Sequence, residues 1–317
     1  MYQPMHSDFL IHWTGKDIDA KYDPRWYTGH SSRTSEKAIK LYLQRLKGIL
    51  YHGLWMTKRR EDETVVIYDN NGKRRKIKRP ETARICFTEL RLSDARAHAK
   101  KFGRLGIGFK RFFVFNLLGA PVVYFHPQRA NWFFPPYFDW FKKIGKEAYF
   151  SCFLKKMGEK DRKDRTWKYK FFDESEWRVV YSPEIKEKLV SMGRTDVCSG
   201  FKESGDKEFK RLERYLEKTG IKERPSYLIP INPSRWFAMI IYPSLAVKVI
   251  AERDPDIRRI INKLKSGRES VDGMEATISK DWPSGVSSVG AIGKAKSASL
   301  EDFNLPIQID LDACRNF

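Results

Sequence analysis

Apolar positions along the chain recur with two spacings, and each spacing predicts a different kind of element. In residues 36–52 they return every three or four positions, as on one face of a helix. The apolar residues of that segment are Ile39, Leu43, Leu46, Ile49 and Leu50. Ser35 is a good residue to cap this helix, and Gly53 is a good residue to end it. Shorter apolar runs such as 9–14 fit strands.

The same two spacings predict the other strands and helices along the chain. Strands are predicted at 9–14, 65–68, 73–79, 84–89, 107–109, 121–125, 177–181, 227–231 and 237–242. Helices are predicted at 36–52, 94–102 and 207–217, after Pro243-Ser244, and from Asp254-Pro255-Asp256 to near Lys265. Strands and helices are mixed without a regular alternation, so we expect an α+β fold and no doubly wound parallel sheet.

A basic hairpin is the clearest local signal. The extended run Val65-Val66-Ile67-Tyr68 is followed by an Asn71-Gly72 turn and then by a second arm, in which six of the seven residues from Lys73 to Arg79 are cationic. An Asn-Gly pair between two extended runs is typical of a hairpin. We expect it to form an insertion of about residues 57–82 in a single domain of residues 1–265.

The C-terminal part differs in composition from the rest. Residues 284–299 are rich in Gly, Ser, Ala and Lys, so residues 266–317 are predicted to form a flexible, Gly/Ser-rich tail. Its last apolar run, at 307–311, can add a strand or bind a partner.

The net charge points to a polyanionic partner. Lys and Arg number 61 against 40 Asp and Glu, a formal charge of +21. Such a charge attracts nucleic acid phosphates, although a generally cationic surface or an anionic membrane surface would also explain it. The sequence contains no uninterrupted apolar run of about 18 residues, the length that a helix needs to span a bilayer. Four dispersed cysteines show no metal-site spacing, so we expect no metal and a cytoplasmic location.

Three short motifs resemble known families. They are His12-Trp13-Thr14-Gly15, the run 102–109, and Glu174-Ser175-Glu176-Trp177-Arg178. Together they resemble the ADP-ribosyltransferase superfamily, in particular its toxins that modify nucleic acid. Stretches around 86–89, 102–109, 120–124 and 174–178 resemble the abortive-infection AbiGi family more closely. The first resemblance implies a split, mixed or antiparallel sheet with flanking helices.

The transferase resemblance implies NAD as cofactor and Glu176 as the catalytic carboxylate. Such a group stabilises the oxocarbenium-like transition state formed when nicotinamide leaves the ribose. Glu174 and Glu89 are the alternatives, and a simple ion pair between Glu176 and Arg178 is another interpretation.

The implied cofactor contacts also have structural alternatives. His12 would bind the ribose, Thr14 and Gly15 the nicotinamide edge, Arg104 the pyrophosphate, and Phe109 or Tyr124 the nicotinamide ring. A histidine beside a tryptophan is often structural, and either aromatic residue is equally suited to the core.

A second group of residues is predicted to contact nucleic acid phosphates. It consists of Arg59, Arg60, Lys73, Arg74, Arg75 and Lys76. Lysines also protect sheet edges from aggregation, which is the alternative explanation for this group.

Two functions remain open at this point. One is an NAD-dependent transferase toxin that modifies RNA or single-stranded DNA in phage defence, with an antitoxin or chaperone as partner. The other is a non-enzymatic antitoxin or regulator that binds nucleic acid or a toxin on a degenerate transferase-like fold.

Overall fold

The computed structural model describes most of the chain outside the two termini and several internal segments. The described residues are 9–27, 34–58, 64–68, 73–89, 94–125, 149–156, 159–160, 167–168, 175–221, 224–231, 236–266 and 306–316. Arg59, Arg60 and Glu174 lie outside them. Within the described part, no helix has both the length and the apolar character needed to cross a membrane.

The elements follow the α+β class expected from the sequence. The strands are β1 (Phe9–Thr14), β2 (Leu54–Lys58), β3 (Thr64–Tyr68), β4 (Arg74–Lys78), β5 (Ala83–Glu89), β6 (Leu105–Lys110), β7 (Ala120–Pro121), β8 (Val123–Phe125), β9 (Leu154–Lys156), β10 (Glu159–Lys160), β11 (Trp167–Lys168), β12 (Glu176–Tyr181), β13 (Tyr227–Ile229), β14 (Phe237–Tyr242) and β15 (Ile307–Asp310). The helices are α1 (Lys16–Tyr22), α2 (Pro24–Tyr27), α3 (Glu36–His52), α4 (Ala95–Phe102), α5 (Arg111–Asn116), α6 (Pro183–Ser191), α7 (Thr195–Ser199), α8 (Lys207–Thr219), α9 (Leu245–Arg253) and α10 (Pro255–Ser266).

A mixed, open main sheet organises these elements. Its strands run in the order β13-β2-β5-β1-β6-β14-β15, and β12 and then β7 extend from β5. Most neighbouring strands are antiparallel, whereas β15 runs parallel to β14.

The sheet is split along one edge of β5. Thr88 pairs with both Ile11 of β1 and Glu176 of β12, and Ala83 pairs with both Lys58 of β2 and Tyr181 of β12. Strand β12 therefore occupies one edge of β5, and β1 and β2 share the other. Between them, residues 85–87 have no ladder partner on that edge among the described strands.

Each face of the sheet carries its own hydrophobic core. Successive side chains of a strand point to opposite faces. Leu10 of β1 and Phe87 of β5 belong to the larger core, under α3. Ile11 and Trp13 of β1 belong to a second core, to which α4 and the C-terminal segment contribute. The two faces are therefore chemically separate environments.

The predicted basic hairpin is present as a ribbon of two strands. Strands β3 and β4 pair antiparallel from Thr64↔Lys78 to Tyr68↔Arg74. The chain leaves β2 at Lys58 and enters β5 at Ala83, and these two residues pair with each other. The ribbon is thus inserted between two neighbouring strands of the main sheet. We call β3 and β4 the basic ribbon.

The end of the chain corrects the prediction of a tail that extends to residue 317. Strand β15 pairs with β14, and the buried residues Leu311 and Cys314 belong to the second core. The alternative that 307–311 adds a strand is confirmed. Residues 267–305, which include the Gly/Ser-rich stretch, lie outside the described residues.

Candidate functional site

The two residues at the centre of the predicted dinucleotide site lie on opposite faces of the sheet. Directly opposed residues of an antiparallel pair share a face, so Glu176, Thr88 and Ile11 share one face. His12 follows Ile11 on β1 and therefore points to the other face. There its ring contacts Phe87, with the ring centroids 5.9 Å apart. The predicted shared cleft for NAD is not assembled.

Glu176 is held in a buried cluster of charges. Its exposed fraction is 8%. Arg178 Nε donates to Oε1 and Lys155 Nζ to Oε2, each at 2.7 Å. The Arg178 guanidinium also donates to the backbone oxygen of Cys152. Burial alone raises the pKa of the Glu176 carboxyl, but Arg178 and Lys155 outweigh burial and hold the pKa at about 2.

This geometry supports the ion-pair interpretation of Glu176. Both carboxylate oxygens already accept charged hydrogen bonds, and the cluster fastens the segment 149–156 to the sheet. A carboxylate with two cationic partners stays ionised. Exchanging one of these charged hydrogen bonds for a bond from a neutral ribose hydroxyl would be unfavourable.

His12 has a structural role beside the split in the sheet. Its Nδ1 lies 2.9 Å from the backbone oxygen of Cys86, in the part of β5 that has no ladder partner on that edge. The ring therefore satisfies a backbone group that the divergence of β1 and β2 leaves without a strand. This bond explains why a histidine is suited to that position without any cofactor.

Arg104 is fully buried and cannot reach a pyrophosphate, so that prediction is wrong. Its guanidinium binds Asp19 at 2.7 Å, Thr34 at 3.1 Å and the Asp23 carboxylate. The guanidinium also lies 5.0 Å from the centre of the Trp26 ring. These contacts fasten α1 and the start of α2 to the main sheet.

The remaining predicted cofactor residues have structural partners. Thr14 Oγ1 accepts a hydrogen bond from Arg45 at 3.0 Å, and the Gly15 carbonyl accepts one from Tyr42 at 3.1 Å. Gly15 has a φ of 99°, and a Cβ there would lie 2.3 Å from the Tyr42 ring, so glycine is required for packing.

Of the two aromatic candidates, only one is near the surface. Phe109 is fully buried and stacks on Phe113 with the ring centroids 4.3 Å apart, so it is a core residue. Tyr124 is half-buried, and its hydroxyl accepts the backbone N–H of Glu176 at 3.0 Å. The fold brings Tyr124 and Glu176 together, and it also brings Gly15 close to the Arg104 backbone, since the Tyr42 hydroxyl bonds both.

The alternative carboxylate Glu89 is also engaged. It pairs with Leu10 of β1 and so shares the face of His12. Its two oxygens accept hydrogen bonds from Arg111 at 2.7 Å and from the Trp177 indole at 3.2 Å. Glu89 therefore links β5, α5 and β12.

The basic ribbon presents cations at the surface. Lys73, Lys76 and Lys78 are exposed. Arg74 and Arg75 lie on the same strand. At the base of the ribbon, Lys58 pairs with Glu81 at 2.8 Å and Arg79 donates to the Leu154 backbone oxygen at 2.6 Å.

The side chains that bind these predicted site residues could not be identified from the sequence. Arg45, Asp19, Asp23 and Lys155 each come from a different element from the residue they bind. No local pattern marks such long-range pairs. Only the Glu176–Arg178 pair, two residues apart on one strand, was visible from spacing.

Neither a metal site nor a related protein indicates a different functional site. No group of three or more His, Cys, Asp and Glu residues suited to a metal ion occurs in the described ranges. No family model, curated protein or solved structure matches this chain.

Proposed function

We propose that this protein is a nucleic-acid-binding module that contacts phosphates through its basic ribbon and performs no NAD chemistry at Glu176. The observation that carries the proposal is the exposure of Lys76 and Lys78 on β4 and of Lys73 just before it, on a chain with a formal charge of +21. Each phosphate neutralised by a cation releases condensed counterions, which favours binding at low salt.

The charge of the basic ribbon favours a role in phosphate binding over one limited to protecting a sheet edge. Six of the seven residues from Lys73 to Arg79 are cationic, and none is acidic. Edge protection needs only an occasional charge. Cations in a row along one strand can also contact successive phosphates of a nucleic acid backbone.

Single-stranded RNA is the favoured partner, with single-stranded DNA as the second. A regulator or antitoxin role, the non-enzymatic alternative raised by the sequence, is compatible with this activity. The transferase hypothesis has no support from the geometry, because His12 and Glu176 face different environments.

The proposal is tested by measuring the binding of a labelled single-stranded RNA by fluorescence anisotropy over a series of salt concentrations. The double variant Lys76→Ala/Lys78→Ala should bind more weakly. Its log–log salt slope should fall by about 1.4, from about 0.7 per lost phosphate contact.

A matched control is available on the surface of α3. Lys37 and Lys40 are exposed as well, so Lys37→Ala/Lys40→Ala removes the same charge elsewhere. Equal losses in the two double variants would show that only net charge matters and would contradict a role for the ribbon.

A further inference from the structure

Helix α5 presents aromatic side chains to solvent, where a surface helix normally carries polar ones. Its inward positions Phe113 and Val114 pack into the larger core. Its outward positions include Phe112 and Phe115, which are 47% and 44% exposed. Adjacent exposed apolar side chains are typical of a binding surface. We call Phe112, Phe115 and the half-buried Trp236 the aromatic surface.

The rings of the aromatic surface lie side by side. The ring centroid of Phe112 is 6.3 Å from that of Phe115 and 5.7 Å from that of Trp236. Phe115 also meets the buried Trp177 edge-on at 5.3 Å, which holds its ring in place. Because nearly half of each phenylalanine is open to solvent, the surface can accept the flat face or the edge of a further ring.

The end of α5 extends this apolar surface at a position that favours glycine. The backbone N–H of Leu118 donates to the Phe115 oxygen at 2.9 Å, and that of Gly119 donates to the Val114 oxygen at 2.8 Å. This pattern is a Schellman motif, in which the residue at the place of Leu118 is usually glycine. Leu118 has a φ of 55°, in the left-handed region, and its side chain is exposed. Strained residues of this kind are concentrated at functional sites.

The surroundings of the aromatic surface are cationic. Lys110 and Arg111 directly precede Phe112, and the sequence contains no acidic residue from 95 to 138. The neighbouring carboxylate of Glu89 accepts hydrogen bonds from Arg111 and from the Trp177 indole, and only 12% of its side chain is exposed. A partner that combines flat rings with negative charge therefore fits this surface, and single-stranded nucleic acid has both.

Strand β5 joins the aromatic surface to the basic ribbon. The chain enters β5 from the ribbon at Ala83, and the last residue of the strand is Glu89, which binds Arg111 of α5. A strand of this length spans about 20 Å. Single-strand binding sites commonly cover about 4–16 nucleotides, so one strand can contact both surfaces.

We propose that the aromatic surface stacks unpaired bases of the single-stranded nucleic acid whose phosphates lie on the basic ribbon. This inference rests on the proposed function and adds the second chemical group that is recognised. Every base has a flat aromatic face, so stacking on Phe112 and Phe115 tolerates different sequences. The ribbon then supplies the salt-dependent part of the affinity, and the aromatic surface supplies the part that depends on bases.

The test compares a single-stranded oligonucleotide with an abasic strand of the same length and charge, using fluorescence anisotropy at low salt. The wild-type protein should prefer the base-containing strand by about ten-fold, within the range that stacked bases contribute. Phe112→Leu/Phe115→Leu keeps the apolar bulk but removes both rings. It should bind the two strands almost equally, with the salt slope of the wild type. Phe112→Tyr/Phe115→Tyr keeps the rings and should keep the preference.

The control Leu245→Ala/Ile250→Ala removes two exposed apolar side chains from α9 and should also keep the preference. Equal affinity of the wild type for the two strands, or a preference that the leucine variant retains, overturns the stacking proposal alone. A wild-type dimer in light scattering that Phe112→Ser/Phe115→Ser converts to a monomer assigns the surface to a second copy and likewise overturns it. Absence of binding to either strand overturns the proposed function as well.

Discussion

At the scale of single residues, buried charges are used to hold segments together. Glu176 with Arg178 and Lys155, and Arg104 with Asp19 and Asp23, each join elements that are distant in sequence. Removing one partner of such a cluster leaves an uncompensated buried charge, which costs about 3–5 kcal/mol.

The Glu176 cluster leads to a pH-dependent prediction. The pKa of Glu176 is about 2 in the folded state and near 4.5 when the chain is unfolded. The stability that this ionised carboxylate contributes is therefore fully present above pH 4.5. It is lost as the pH falls through about 2, which lowers the free energy of unfolding by about 3 kcal/mol. Glu176→Gln should be less stable at neutral pH and should lack this part of the pH dependence, as measured by urea unfolding.

Glu187, an exposed acid on α6, provides the control. The substitution Glu187→Gln should leave both the stability and its pH profile near those of the wild type. A Glu176→Gln protein of unchanged stability would show that the carboxylate is free to serve another role.

Arg104 gives an independent test at the same scale. Arg104→Met keeps most of the side-chain volume but leaves Asp19 and Asp23 buried without their cation, so the free energy of unfolding should fall by about 3–5 kcal/mol. Chemical denaturation followed by tryptophan fluorescence measures this change. Lys100→Met, at an exposed position on α4, should have little effect. Comparable losses in the two variants would contradict a structural role for Arg104.

At the scale of elements, the C-terminal segment completes the main sheet. Strand β15 covers the edge of β14, and Leu311 is fully buried behind it. The segment therefore extends the sheet by one strand and contributes Leu311 and Cys314 to the second core.

The contribution of the C-terminal segment is measurable with one substitution. Leu311→Ala should lower the free energy of unfolding by about 2–5 kcal/mol, the usual range for a buried leucine. Thermal or chemical unfolding checks this value. Ala313→Ser, at an exposed position of the same segment, is the control and should change stability by less than about 0.5 kcal/mol. A small effect of Leu311→Ala would mean that the segment is not docked in solution.

Periodicity predicted the elements that carry strong local signals. Helix α3, capped by Ser35 and ended by Gly53, and the basic ribbon were predicted from spacing and turn residues alone. Helices α1 and α2 have no prediction from the sequence, because they are too short to show a clear period. The strand assignment of 307–311 remained open, since pairing with β14 depends on a contact across more than sixty positions of sequence.

The candidate site was predictable only in part, because the face of a strand depends on register. The sequence places His12 on a strand and Glu176 immediately before one, and in the structure both residues lie on strands. A shift of one position in pairing would exchange their faces, and sequence spacing does not determine that register. The burial of Arg104 was equally hidden, because its two acidic partners lie more than eighty residues away.

At the scale of the whole molecule, the net charge and the position of the basic ribbon both favour the proposed binding of nucleic acid. Part of the surplus of cations lies on the basic ribbon, where Lys76 and Lys78 are exposed, and the ribbon leaves and rejoins the sheet at the paired residues Lys58 and Ala83. The two cores and their ion-pair clusters form the support from which the ribbon extends. If the ribbon binds nucleic acid as proposed, recognition and stability involve different residues, and substitutions on the ribbon should leave folding nearly unchanged.

The central proposal is that this chain binds single-stranded nucleic acid and performs no NAD chemistry at Glu176. The most direct measurement is thermal unfolding of the unmodified protein with a single-stranded RNA or with NAD, at about 50 mM and about 200 mM salt. RNA should raise Tm at the lower salt concentration, and the gain should shrink at the higher one, whereas NAD should leave Tm unchanged. A rise in Tm with NAD and none with RNA would contradict the account.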